Sequence, residues 1–172
     1  MSDLTIREET AADGWCVDRI QEGAFGRPGE AALVRALRAA VWPRLSLVGE
    51  LRGEVVGHIF FSPVSIEGIA PSPPAGGLAP LAVSPHAQRR GVGSALVRAG
   101  LRACIPVGWR AVFVLGSPAY YARFGFVSAP ALGLRYGSEE LDLAFQVIEL
   151  VPGSLSGCGG LVRYHPAFAS VT

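Results

Sequence analysis

Residues 81–97 read LAVSPHAQRRGVGSALV. An apolar run, a short polar turn carrying Gly91 and Gly93, and an amphipathic run follow one another without a spacer. That order predicts a strand ending at QRRGVGS and a helix beginning there. On the helix, Leu96, Val97, Leu101 and Cys104 fall on one face, and Arg98 and Arg102 point away. The wholly apolar run AVFVL at 111–115 then reads as a buried strand. A chain built this way folds as layers of helix on sheet.

The flanks extend the pattern. Residues 4–7 read as an opening strand and 11–24 as a helix with Trp15 and Ile20 among its apolar positions. GRPG at 26–29 breaks it before a second helix over 30–40, with Leu33, Val34 and Leu37 on one side. Strands at 45–51 and 55–66, joined at Gly53, form a hairpin. APSPPAGG at 70–77 reads as a loop. Residues 78–83 read as a buried strand whose Pro80 lacks a ladder donor, so a bulge or unpaired edge is expected there. A short helix over 119–124, a strand from Phe126 and a last strand over 143–150 complete the expected core. A glycine-rich link then leads to Tyr164, His165, Pro166, Ala167 and Phe168. With 172 residues and no visible repeat or linker, the expectation is one domain over 1–172, with a core at 4–150 and an extension at 151–172. The fold class expected is α/β, a mixed sheet with helices on both faces.

Charge is distributed unevenly. The net value is only +1, which does not favour nucleic acid. Yet residues 68–138 contain no Asp or Glu, while Arg89, Arg90, Arg98, Arg102, Arg110, Arg123 and Arg135 all lie there. A positive middle of this kind suits a small anionic ligand, or a solvated basic face. Lysine is absent throughout, which removes a GxxxxGK[ST] phosphate loop and a Schiff-base lysine. Cys16, Cys104 and Cys158 are too far apart for a CxxC pair, so neither a disulfide framework nor a metal is expected, and Cys104 reads as a small buried hydrophobe. The polar opening MSDLTIREET has no apolar signal core, and no apolar run reaches membrane-span length. The cytoplasm is the expected location.

At QRRGVGS the physics points to an anion. The first turn of a helix has backbone N–H groups without partners, and the macrodipole makes that end positive. Phosphate oxygens meet both needs. Gly91 and Gly93 remove Cβ atoms that would hold phosphates away. A dinucleotide fingerprint would need glycine at position 96, which is Leu, and an acid about twenty residues on, which is missing. Glycines that merely open a helix remain the alternative.

The pattern LAVSPxxQRRGVGSALV, followed by YYARFGF at 120–126, resembles the GNAT superfamily of N-acetyltransferases, over about residues 4–150. The resemblance implies a mixed, mostly antiparallel sheet with a splayed central strand pair. It implies acetyl-CoA as co-substrate, its pyrophosphate held by the loop Gln88, Arg89, Arg90, Gly91, Val92, Gly93 and Ser94. Its pantetheine arm would pair with Leu81, Ala82 and Val83 on the splayed strand, which gives Pro80 a use. A backbone N–H near Val83 would polarise the thioester carbonyl. Phe124 would lie on the cofactor side.

The same resemblance implies direct attack by an amine, with Tyr121 giving a proton to the leaving thiolate. Tyr120 reads as a packed aromatic. The sequence departs from the family pattern twice. Gly116-Ser117-Pro118 stands where many members have an asparagine, so Ser117 either replaces that contact or the contact is absent. No acid lies near the splayed strand to act as base, which leaves a water chain, His58 or Glu30. His58 also reads as an ordinary strand histidine, Glu30 as a first-turn helix charge. The turn at 24–29 would help build the acceptor pocket, and Phe25 and Arg27 hint at an apolar or anionic acceptor feature. The expected partner is a small-molecule or peptide amine, not nucleic acid or membrane, with the protein a monomer or homodimer. The alternative is a module of the same fold that binds acyl-CoA without catalysis.

Overall fold

The computed structural model describes residues 3–171, so residues 1, 2 and 172, the outer ends of the expected domain, lie outside the described residues. Nine strands form the sheet: β1 (Leu4–Glu8), β2 (Leu45–Leu51), β3 (Glu54–Ile66), β4 (Ala75–Val83), β5 (Ala111–Leu115), β6 (Val127–Ser128), β7 (Leu134–Arg135), β8 (Phe145–Glu149) and β9 (Gly160–Arg163). The main order is β1-β2-β3-β4-β5-β8-β6, and β9 pairs with both β3 and β7. All pairs are antiparallel except β4–β5 and β7–β9. The helices are α1 (Gly14–Phe25), α2 (Gly29–Ala40), α3 (Val92–Val107), α4 (Pro118–Tyr121) and α5 (Glu139–Asp142).

Helices cover both faces, as expected. Val92, Leu96, Val97 and Cys104 of α3 pack with Leu47, Val56, Ile59 and Phe61 of the sheet. Val17 of α1 and Leu33, Val34 and Leu37 of α2 pack on the opposite face with Val48 and Phe60. Phe61 is wholly buried, which is worth roughly 2–3 kcal/mol. Cys104 is equally buried, and that burial pushes its thiol up to about 12, so it behaves as a hydrophobe.

The centre of the sheet positions the site. Antiparallel pairing of β4 with β3 sets Ile59 opposite Leu81, and resumes with Phe61 opposite Leu78. Ala79 and Pro80 therefore face the single residue Phe60, which is the bulge expected at Pro80. On its other side β4 pairs with β5 only from Ala75 to Leu78. Beyond that point the two parallel strands separate, leaving 79–83 without a β5 partner.

Five local expectations change. The segment expected as one helix over 11–24 opens as a 3-10 turn, Ala11–Asp13. Its reason is a capping box, in which the Thr10 N–H donates to Asp13 Oδ2 at 2.7 Å. The expected loop at 70–77 ends early, because Ala75, Gly76 and Gly77 already belong to β4. Their glycines are a packing requirement: a Cβ on Gly76 would lie 2.6 Å from the Trp109 ring, and one on Gly77 2.4 Å from the Tyr164 ring. The strand expected from Phe126 is only Val127–Ser128, and that expected over 143–150 is Phe145–Glu149. Finally, the glycine-rich tail supplies β9, whose Ile66–Val162 and Ser65–Arg163 pairs lengthen the sheet at the end of β3. Among the described residues no helix is long and apolar enough to cross a membrane.

Candidate active site

The connection from β4 to α3 is stiffened before any ligand is considered. The Ser84 N–H donates to the Val56 carbonyl at 2.8 Å, and Gln88 Nε2 donates to the Val83 carbonyl at 3.0 Å. Gly91 caps α3 with φ of 83°, a left-handed value that favours glycine. Arg89 holds a left-handed value too, 59°. The Ala95 N–H makes the helical bond to the Gly91 carbonyl at 3.0 Å, so the amides of Val92, Gly93 and Ser94 precede it. They open a 16-residue helix, with its positive end towards the loop.

These amides border a cleft of about 600 Å³. Its walls contain Leu81, Ala82 and Val83 from the splayed part of β4. They also contain Gln88, Arg89, Gly91, Val92, Gly93 and Ser94 from the loop and first helical turn. Arg90 and Phe124 line neither this cleft nor the cavity beside it. Arg90 is exposed, and Phe124 is stacked between side chains. Its ring lies 5.4 Å from that of Tyr120, with the Arg98 guanidinium 5.1 Å from its centroid. No Asp or Glu lines the cleft.

Two lining residues escaped sequence reasoning, although both stand in YYARFGF. Arg123 lies 4.7 Å over the Tyr120 ring and donates to Ser94 Oγ at 2.9 Å. Tyr120 faces the cleft, its hydroxyl only 2.8 Å from where a Cβ on Gly93 would be. Alternation along α4 offered the signal: adjacent helical residues point about 100° apart, so the two tyrosines cannot share one environment.

Tyr121 accordingly faces a second cavity, of about 320 Å³, with Ser117 and Leu81. Leu81 and Phe25 line both spaces, so cleft and cavity adjoin. Tyr121 is 8% exposed, its ring against Gly116 and edge-on to those of Tyr120 and Phe126. Burial, with a smaller contribution from Tyr120, pushes its phenol well above the usual range, so it stays protonated at neutral pH. Ser117 Oγ caps α4, accepting from the Tyr120 N–H at 3.4 Å.

The base candidates separate clearly. Glu30 lines the second cavity, 4% exposed, and pairs with Arg27 at 2.6 Å. His58 is wholly buried on β3 and lines neither space. Gln21 Nε2 donates to its Nδ1 at 2.9 Å, and its Nε2 lies 2.8 Å from Ser46 Oγ. Ser46 and Arg38 in turn hydrogen-bond Glu9. Burial lowers the His58 pKa, which marks a neutral core histidine. His165 Nδ1 accepts from the Ala167 N–H at 3.1 Å and also lines neither space. The tail does reach the second cavity, through Tyr164, Phe168 and Val171.

Residues 16–126 match the Acetyltransferase (GNAT) family. The chain belongs to the GNAT family of acetyltransferases. This GNAT chain is 37% identical to the uncharacterized N-acetyltransferase YhbS of Escherichia coli K12, over 96% of its own length and 98% of that protein's. The crystal structure of E. coli YhbS in complex with CoA superposes with a TM-score of 0.90, at 36% identity, covering 98% of this chain and 93% of that one. A GNAT family acetyltransferase from Brucella melitensis in complex with acetyl-CoA gives 0.79 at 35% identity, covering 98% and 99%. The GNAT fold and enzyme class expected from QRRGVGS and YYARFGF are thereby established.

Proposed function

We propose that the whole chain, tail included, is one catalytic unit that moves the acetyl group of acetyl-CoA to a primary amine. The observation that carries this reading is the loop 88–94, which opens α3 at the mouth of the acid-free cleft, one residue set away from Tyr121. The two relatives with CoA and acetyl-CoA bound support the same ligand here.

In this reading the amides of 89–94 receive the pyrophosphate, with Gln88 bracing the loop and Arg89 and Arg90 supplying charge. Leu81, Ala82 and Val83 offer unpaired backbone to the pantetheine arm. An N–H near Val83 polarises the thioester carbonyl. Ser117 and Phe124 support the far wall, Phe124 by holding Tyr120 and Tyr121 in place. The neutral amine attacks the thioester carbon, the C–S bond breaks, and the thiolate takes the Tyr121 proton. The new amide sheds its extra proton to solvent, and the tyrosinate recovers one.

Tyr121→Phe is expected to lower kcat about 100-fold or more while leaving the acetyl-CoA Kd, by isothermal titration, within about twofold. Gly93→Ala drives the Tyr120 hydroxyl from its place and is expected to weaken that Kd instead. Unchanged turnover in the phenylalanine variant would remove Tyr121 from the chemistry. Tight binding with no transfer to any amine would leave the non-catalytic acyl-CoA module.

A further inference from the structure

The second cavity has a chemistry of its own. Among the described residues Glu30 is the sole charged one lining it, and Phe25, Tyr121, Tyr136, Tyr164 and Phe168 line the same cavity. Arg27, its ion-pair partner, is outside the lining, and its side chain is 57% exposed. Arg27 places its contacts mainly on Oε1, at 2.6 and 3.1 Å, and reaches Oε2 only once, at 3.2 Å. Oε2 keeps acceptor capacity. A second group is unmatched. The Tyr164 hydroxyl is buried and has no hydrogen-bond partner among the described residues. The Tyr136 ring packs edge-on against that of Tyr164 at 5.7 Å, and Tyr121 lines the same cavity.

Building on the acetyltransferase reading, we propose that the acceptor is a small primary amine on an aromatic or branched apolar body, with no carboxylate beside the amine. Its ammonium docks between the Glu30 carboxylate and the Tyr164 hydroxyl, and gives one proton to solvent before the neutral amine attacks. An ammonium carries three donors, and these two oxygens accept without displacing Arg27. The rings add attraction for the cation and bury the apolar body. A carboxylate next to the amine would meet Glu30 in a wall without a cation, which is costly away from water. A peptide acceptor is disfavoured by the tail. Phe168 and Val171 close one side, and Arg27 Nη2 ties the α1–α2 turn to the Val171 carbonyl at 3.3 Å.

The test measures CoA release from acetyl-CoA by the full chain with 2-phenylethylamine, phenylalanine and a lysine-containing peptide. The expected result is a kcat/KM for 2-phenylethylamine about tenfold or more above either competitor. Glu30→Gln is expected to raise the KM for that amine about tenfold and narrow the gap to phenylalanine. Tyr164→Phe should raise it a few-fold. Unaltered acetyl-CoA binding and thermal unfolding would show that both variants are folded. Preference for phenylalanine or the peptide, or an unchanged KM in Glu30→Gln, overturns this inference and leaves acetyl transfer standing. Acetyl-CoA binding with none of the three amines acetylated overturns both.

Discussion

At the scale of single residues, the part-buried polar chain Gln21, His58, Ser46, Glu9 and Arg38 is one place where pH acts on stability. His58 is held below its ordinary value by burial, against the opposing pull of Glu9. Below about pH 6.5 the unfolded chain takes up a proton that native His58 refuses, so stability falls as pH drops. The slope is at most about 1.4 kcal/mol per pH unit. Glu9 adds a second loss at lower pH. Burial raises its carboxyl, but the nearby His58 and the hydrogen bonds from Ser46 and Arg38 prevail and bring it down to about 2. Its contribution is complete above its ordinary 4.5 and disappears as pH falls towards 2. Urea unfolding at about pH 7 and about pH 5.5 should show wild type losing roughly 1–2 kcal/mol, and His58→Gln losing clearly less. Equal losses in the two proteins would place the sensitivity elsewhere.

At the scale of elements, β4 does the most, and only its residues 78–83 were visible beforehand. Its first residues look like a loop because APSPPAGG is dense in proline and glycine. The glycines are there because Trp109 and Tyr164, remote in sequence, lie where side chains would go. Gly76→Ala puts a methyl into the Trp109 ring and is expected to cost about 1–3 kcal/mol, read as a melting point several degrees lower. A wild-type melting point would mean that Trp109 can move aside. By contrast α3 and the loop before it were plain, since period, punctuation and charge all agreed over 88–104. Tyr121 was singled out through its motif, whereas the place of Tyr120 at the cleft had only the alternation along α4 to signal it. β9 was hidden for a different reason. GCGG at 157–160 masks its start and only Leu161 and Val162 favour a strand, which is completed by pairing with the end of β3 and with β7. Glu30 looked like a first-turn charge and is one, but burial against the tail gives it a cavity to face.

At the scale of the whole molecule, charge and shape are sorted by side. The acid-free segment supplies most of the cleft wall, and among the described residues the only charge lining the neighbouring cavity is a carboxylate. An anionic donor and a cationic acceptor would thus arrive through different fields and meet near Leu81 and Phe25, which line both spaces. The tail takes part in this arrangement, since it both lengthens the sheet and closes the second cavity.

The parting of β4 from β5 has one more consequence. A strand with one bare side, in the middle of a sheet, resembles the exposed edges through which proteins aggregate. A long ligand lying along 79–83 would act as the missing neighbour. Amides in that segment that do not pair with β3 should then exchange their hydrogens quickly in the free protein and slowly with acetyl-CoA present, as mass spectrometry can read peptide by peptide. The free protein should also be the more prone to clump on mild heating. Equal exchange in both states would mean that the gap is shielded by the fold itself. On this view the ligand is a removable strand, and saturation with it is a form of storage stability.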